Sequence, residues 1–116
     1  MKIEKGSDRN VYIVSLHGKL ISQGEVEELM SQFRSFRENN VINIILNLEE
    51  LDWMGSMGLG ALISCMTSLR NVGGDLRLAN ANAKLTSLLK MTRVDSVFQI
   101  FENVDMAVLS FTAASN

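Results

Sequence analysis

The six residues GSMGLG, Gly55 to Gly60, place three glycines and one hydroxyl between the apolar run VINIILNL and the amphipathic stretch ALISCMTSLRNVGG. Such a stretch could cradle a phosphate with its backbone, accept a phosphate on its hydroxyl, or simply turn tightly. Gly55 and Gly60 have the spacing of the glycines in a GxxxxGKS/T loop. That loop needs a lysine charge for the β/γ-phosphates and a hydroxyl for magnesium, and Ala61 and Leu62 stand at those positions. The dinucleotide fingerprint GxGxxG fails as well, because Gly58 and Gly60 would require a third small residue where Ile63 stands. A nucleotide-binding enzyme is therefore only the third reading of this chain.

Ser56 lies just before a predicted helix, where free N–H groups and the positive end of the macrodipole stabilise an added dianion. Glycines nearby keep its hydroxyl accessible. The same spacing fits a Ser56 that is only an N-cap, with Gly58 and Gly60 allowing close backbone approach or positive φ. The spacing leaves both readings open. A nucleophilic enzyme would need a base within reach, and the motif puts no histidine, lysine or aspartate beside Ser56, so the chain reads as a non-enzyme.

Trp53 and Met54 precede the loop at a strand end, and strand alternation turns one of them away from the core. An outward Trp53 would anchor a partner; a Trp53 packed under a neighbouring helix is equally open. Glu49, Glu50 and Asp52 read as a solvated loop. His17 is the only histidine and Cys65 the only cysteine, so neither an intramolecular disulfide nor a thiolate or imidazole metal cluster is expected. Cys65 falls on a buried helical stripe, and His17 is assigned no role. Among the seven methionines, Met30, Met66 and Met91 fall at core spacing, while Met54 and Met57 flank the loop.

The elements that must position these residues alternate in type. NVYIVSL reads as a strand, paired antiparallel with MKIEK through the turn-like GSDRN. In EVEELMSQFRSFRENN, the residues Val26, Leu29, Met30, Phe33 and Phe36 recur at helical spacing. VINIILNL has the continuous apolar character of a central strand covered on both faces. After the loop, Leu59, Leu62, Ile63, Met66, Leu69 and Val72 mark a second helical stripe, stopped by Gly73 and Gly74. DLRLAN is a strand, NAKLTSLLKM a helix, SVFQIF a short strand and NVDMAVLSF a closing helix capped by Asn103. This order predicts an α/β domain with a mixed, mostly parallel sheet of about four to five strands and about four helices, with the N-terminal hairpin antiparallel. Residues 1–116 read as one domain.

Composition limits the partners. A net charge of −2 gives no field for steering onto nucleic acid. No window approaches the roughly 18 consecutive apolar residues of a membrane span, and the start MKIEKGSDRN lacks a signal peptide's apolar region, so a cytoplasmic location is expected.

ELDWMGSMGLGALISC resembles the strand-loop-helix signature of STAS domains of the anti-sigma factor antagonist type, in which a hydrophobic segment runs into Asp-Ser-Ser/Thr-Gly-Leu-Gly. The order around it is similar too: a strand ending in Gly18-Lys19-Leu20, then VINIILNL, the motif, and a helix ending in NVGGDLRLAN. The ending KLTSLLKMTRVDSVFQIFENVDMAV extends the likeness over nearly the whole chain. The resemblance implies a STAS fold with Ser56 as the phosphorylatable serine, and a partner-binding face of Trp53, Met54, Gly55, Ser56, Met57, Gly58, Leu59 and Gly60. It implies a partner-switching module that binds an anti-sigma factor with serine kinase activity and is reset by a phosphatase. ATP and magnesium would belong to the kinase, so no cofactor is assigned, and self-association is left open. The chain departs from the family at four positions: Gly55 replaces the aspartate before the serine, Met57 the second hydroxyl, Ile21 the acid after Gly-x-Leu, and Asn47 the strand-end acid. A STAS adaptor that docks constitutively without phosphorylation is the alternative those departures raise.

Overall fold

Five strands and four helices follow one another in the computed structural model, which describes residues 1–6 and 10–113. β1 (Lys2–Lys5) pairs antiparallel with β2 (Val11–Leu20), and the GSDRN turn expected between them falls largely on residues 7–9, outside the described residues. β2, β3 (Asn43–Met54), β4 (Asp75–Ala79) and β5 (Ile100–Phe101) are all parallel, in the sheet order β1-β2-β3-β4-β5. The mixed, mostly parallel sheet expected from the sequence is the one observed. SVFQIF is less regular than expected: residues Val94–Ser96 form a 3₁₀ turn, and only Ile100 and Phe101 reach the sheet.

Parallel strands need crossovers, and α1 (Gln23–Glu38), α2 (Ser56–Arg70) and α3 (Ala83–Met91) supply them on one face. Val14, Ile44, Leu46, Leu76 and Leu78 point to these helices and meet Leu29, Phe33, Leu62, Leu69 and Leu85 in the main core. Each such fully buried aliphatic side chain contributes about 1.5–3 kcal/mol relative to an exposed one. α4 (Val104–Ala113) lies on the opposite face and buries Ala107 and Val108 against Val11, Ile45 and Ala79.

Local chemistry sets the helix ends. The Ser22 Oγ accepts from the Glu25 N–H at 3.2 Å, and Glu25 Oε1 accepts from the Ser22 N–H at 3.0 Å, a reciprocal box that starts α1. Asn82 and Asn103 cap α3 and α4 by accepting from Leu85 and Met106 N–H, each at 2.8 Å. α2 ends at Arg70, where Gly73 takes φ +89° and the Gly74 N–H donates to the Leu69 carbonyl. Val72, expected on the buried stripe, follows the last helical residue Arg70 and precedes the Gly73 turn, and it is exposed.

The Ser22 hydrogen bonds hold the Glu25 carboxyl below its ordinary value of 4.5, with the backbone N–H of Ser22 the largest cause. A depressed folded-state pKa gives stabilisation that is full above 4.5 and lost as pH falls through the folded value. NMR titration of the Glu25 carboxyl carbon should therefore give a midpoint below 4.5. A midpoint at or above that value would show that the box does not hold.

Candidate functional site

The loop is made where two strands end together. β3 continues through Glu49, Glu50 and Asp52, which belong to the strand rather than to the solvated loop expected, although all three side chains are exposed. Its buried residues after Leu46 are Leu48, Leu51 and Met54, so strict alternation gives way to a spacing of three. Register shifts between Ser15 and His17 and between Gly18 and Lys19 of β2 accompany this change. Leu20 and Met54 consequently end side by side, and the Gly55 N–H donates to the Leu20 carbonyl at 3.1 Å.

Gly55 is the N-cap of α2, in extended backbone (φ −89°, ψ −179°), and has no side chain to satisfy the first-turn N–H groups. Ser56 is the first helical residue and is exposed. This corrects the reading of Ser56 as an N-cap: the capping position belongs to Gly55, so the hydroxyl is not occupied in capping. Three large side chains of the loop region are exposed: Met57 (51% exposed), which follows Ser56; Ile21 (49%), which approaches Gly55; and Trp53 (36%), three residues before Ser56 in β3. Trp53 is turned out while Met54 is fully buried, and Trp53 shares a largely apolar groove with Leu88 and Met91 of α3. Met91 is 82% exposed, against its expected place in the core, because it is the last residue of α3 and projects past the packed face.

The eight residues expected to form the partner face divide by burial. Trp53, Ser56, Met57 and Gly60 are exposed and Gly55 is half-buried. Met54, Gly58 and Leu59 are buried, and their physical role is to hold the loop rather than to meet a partner. A Cβ on Gly58 would lie 2.5 Å from the Leu20 carbonyl oxygen, so Gly58 is required by close backbone approach. Gly60 is different: its φ is not positive, and a Cβ there would meet nothing within 4 Å. Neither steric reason expected for that glycine applies.

The four departures also separate in space. Gly55, Met57 and Ile21 lie together at the loop, and the Ile21 side chain approaches the Gly55 Cβ position at 3.4 Å. Asn47 lies well inside β3 rather than at a strand end. Its side chain donates to Ser15 Oγ at 3.3 Å and accepts from Asn80 Nδ2 at 2.9 Å, a polar line across the sheet that the sequence did not reveal. Among the described residues, no group of three or more His, Cys, Asp or Glu side chains could hold a metal ion, and no helix is long and apolar enough to cross a membrane. Cys65 is buried, which pushes its thiol up to about 12 and keeps it neutral.

The family model for the STAS domain matches residues 2–107. An anti-sigma F factor antagonist of Paenibacillus polymyxa is 26% identical over 103 residues, covering 89% of this chain and 88% of that protein. Among solved structures, the protein TM1081 of Thermotoga maritima superposes with a TM-score of 0.86 at 20% identity, over 94% of this chain and 92% of that one. The Bacillus cell fate determinant SpoIIAA, solved in its phosphorylated form, superposes with a TM-score of 0.73 at 22% identity, over 95% of this chain and 97% of that one. These structural likenesses concern the fold.

Proposed function

Because the chain belongs to the STAS domain family, we propose that it is an anti-sigma factor antagonist whose docking face is the exposed part of the loop and first turn of α2, and whose switch is phosphorylation of Ser56. The observation that carries this reading is the placement of the Ser56 hydroxyl: exposed, first in α2, and relieved of capping by Gly55. The apolar side chains of Met57, Ile21 and Trp53 in the loop region supply contact area for a protein partner. A phosphate on Ser56 sits at a helix N-terminus, where the dianion is tolerated by the chain itself. It opposes a partner by charge and by the cost of desolvating the phosphate among those apolar side chains. In this mechanism the unmodified domain captures an anti-sigma factor with serine kinase activity and frees a sigma factor. The kinase adds the phosphate, a phosphatase removes it, and this chain performs no chemistry.

One specific observation favours a second reading, a STAS adaptor that docks constitutively. Gly55, Met57 and Ile21 put no carboxylate beside Ser56, where the family pattern has acids before the serine and after Gly-x-Leu.

Two substitutions separate the readings. Ser56→Ala should melt within a few tenths of a kcal/mol of the parent, since N1 is not the capping residue. It should retain the partner and take up no phosphate. Ser56→Asp should weaken partner binding by about 1–3 kcal/mol where the contact is desolvated. Co-purification from native extract with and without ATP, followed by mass spectrometry of the Ser56 peptide, identifies the partner needed for these measurements. Parent-like binding by Ser56→Asp, with no phosphate on Ser56 in the presence of kinase and ATP, would leave the constitutive adaptor standing.

A further inference from the structure

Away from the Ser56 loop, α1 and α2 enclose a half-open cleft of about 180 Å³. Its floor includes Phe33 and Cys65, and its rim carries Arg34, Arg37, Ser64 and Ser68. Helical spacing puts Arg34 and Arg37 on one face of α1, and Ser64 and Ser68 on one face of α2. The cationic rim is uncompensated. Arg34 makes no hydrogen bond or ion pair among the described residues, and Arg37 donates only from Nη1 to Ser68 Oγ, at 2.9 Å. Glu38, the acid next to Arg37, bridges neither arginine. The chain has 13 acidic residues against 11 basic ones, so two unpaired guanidinium groups over one apolar floor are not a by-product of a basic surface. Burial keeps the Cys65 thiol neutral, so the floor adds no opposing negative charge. Guanidinium forks bind carboxylate and phosphate oxygens in a bidentate manner, and hydroxyls complete such a shell.

We propose that the α1–α2 cleft binds a small amphiphilic oxyanion, with its phosphate or carboxylate head on Arg34 and Arg37 and its short apolar stem against Phe33 and Cys65. Ser64 and Ser68 donate to the head. The site is separate from Ser56 and does not depend on the partner-switching reading.

Octyl phosphate, inorganic phosphate and neutral octyl glucoside are the probes, each titrated as monomers into the full chain and followed by calorimetry and by methionine methyl NMR. Octyl phosphate should bind at least about tenfold more tightly than either of the others, because only it satisfies both head and stem. Its binding should shift the methyl of Met30, a residue that lines the cleft and whose sulfur lies 3.6 Å from the Cys65 sulfur, more than the Met91 methyl. The double variant R34Q/R37Q should lose about tenfold or more in affinity for octyl phosphate, with melting unchanged because both side chains are exposed. Ser64→Trp, which fills the cleft from an exposed position and removes one head donor, should lose octyl phosphate even with both arginines in place. Equal affinity of R34Q/R37Q and parent, equal binding of octyl glucoside, or a larger shift at Met91 than at Met30 overturns the proposal.

Discussion

Asp75→Ala should lower stability by about 3–5 kcal/mol, enough to move the melting midpoint down by roughly 10–20 °C in a chain of this size. Asp75 opens β4 and is buried, as is Arg77 two residues on. Arg70 Nε donates to Asp75 Oδ1 at 2.8 Å, and Arg77 Nε donates to Oδ2 at 3.0 Å. Arg70 also donates to the Val97 carbonyl at 2.7 Å. Arg77 donates to Ser110 Oγ at 2.8 Å and lies 3.9 Å over the Phe111 ring. One carboxylate thus links the end of α2, the start of β4, the 3₁₀ turn and α4. The cost of its removal is mainly that Arg77 stays buried without a counter-charge, not that a favourable pair is lost. The double variant Asp75→Ala with Arg77→Met removes that charge and should recover a large part of the melting loss. If the double variant melts as low as Asp75→Ala, the stabilisation lies in the Arg70 link instead. Asp75 sits at the N-terminal end of β4, whereas the loop follows the C-terminal end of β3. The site therefore depends on this cluster only through the integrity of the sheet and α2.

The visibility of these features in the sequence follows from how far each is determined locally. The stripes Val26–Phe36 and Leu59–Leu69 show because a helix packed on one face repeats every three to four residues, whatever it packs against. Ser56 shows because glycines between an apolar strand and an amphipathic helix can only be a strand-to-helix turn. DLRLAN is legible as a strand, but its alternation of polar and apolar residues does not announce that both of its faces are covered. All five residues of β4 are buried in the structure, since α4 covers the side that carries Asp75 and Arg77. The pairing that makes such burial tolerable spans 2 to 33 positions of sequence, and no local pattern announces it. The end of β3 was hidden for a related reason. The register shifts belong to the β2–β3 pair, so the buried spacing of Leu48, Leu51 and Met54 has no explanation within β3 alone. Met91 repeats the period of α3, yet periodicity cannot say that the packed face stops at Leu89.

Gly58→Ala should destabilise the chain by about 1–3 kcal/mol, while Gly60→Ala, two residues away in the same helix, should stabilise it by about 0.5–1 kcal/mol. The added methyl is identical, and both substitutions raise helix propensity. Their difference in sign isolates the packing of the loop. At Gly58 the new Cβ would lie 2.5 Å from the Leu20 carbonyl oxygen and 2.9 Å from the Leu20 Cγ, so backbone has to move. That carbonyl also accepts from the Gly55 N–H, which anchors the α2 N-cap to the end of β2. Relief of the clash therefore pulls on the residue that precedes Ser56, and the stability loss and the displacement of the hydroxyl share one cause. Thermal melts of the two variants test the packing, and, if Ser56 is the acceptor of a partner kinase as proposed above, the rate of phosphate incorporation there tests the displacement. Gly58→Ala should be slower as a substrate even well below its melting midpoint, because the helix start is misplaced in the folded state. If both variants melt above the parent, the close approach of α2 to Leu20 is not a constraint on this fold. If Gly58→Ala melts low but is modified at the parent rate, the anchor on Leu20 stabilises the loop without positioning Ser56.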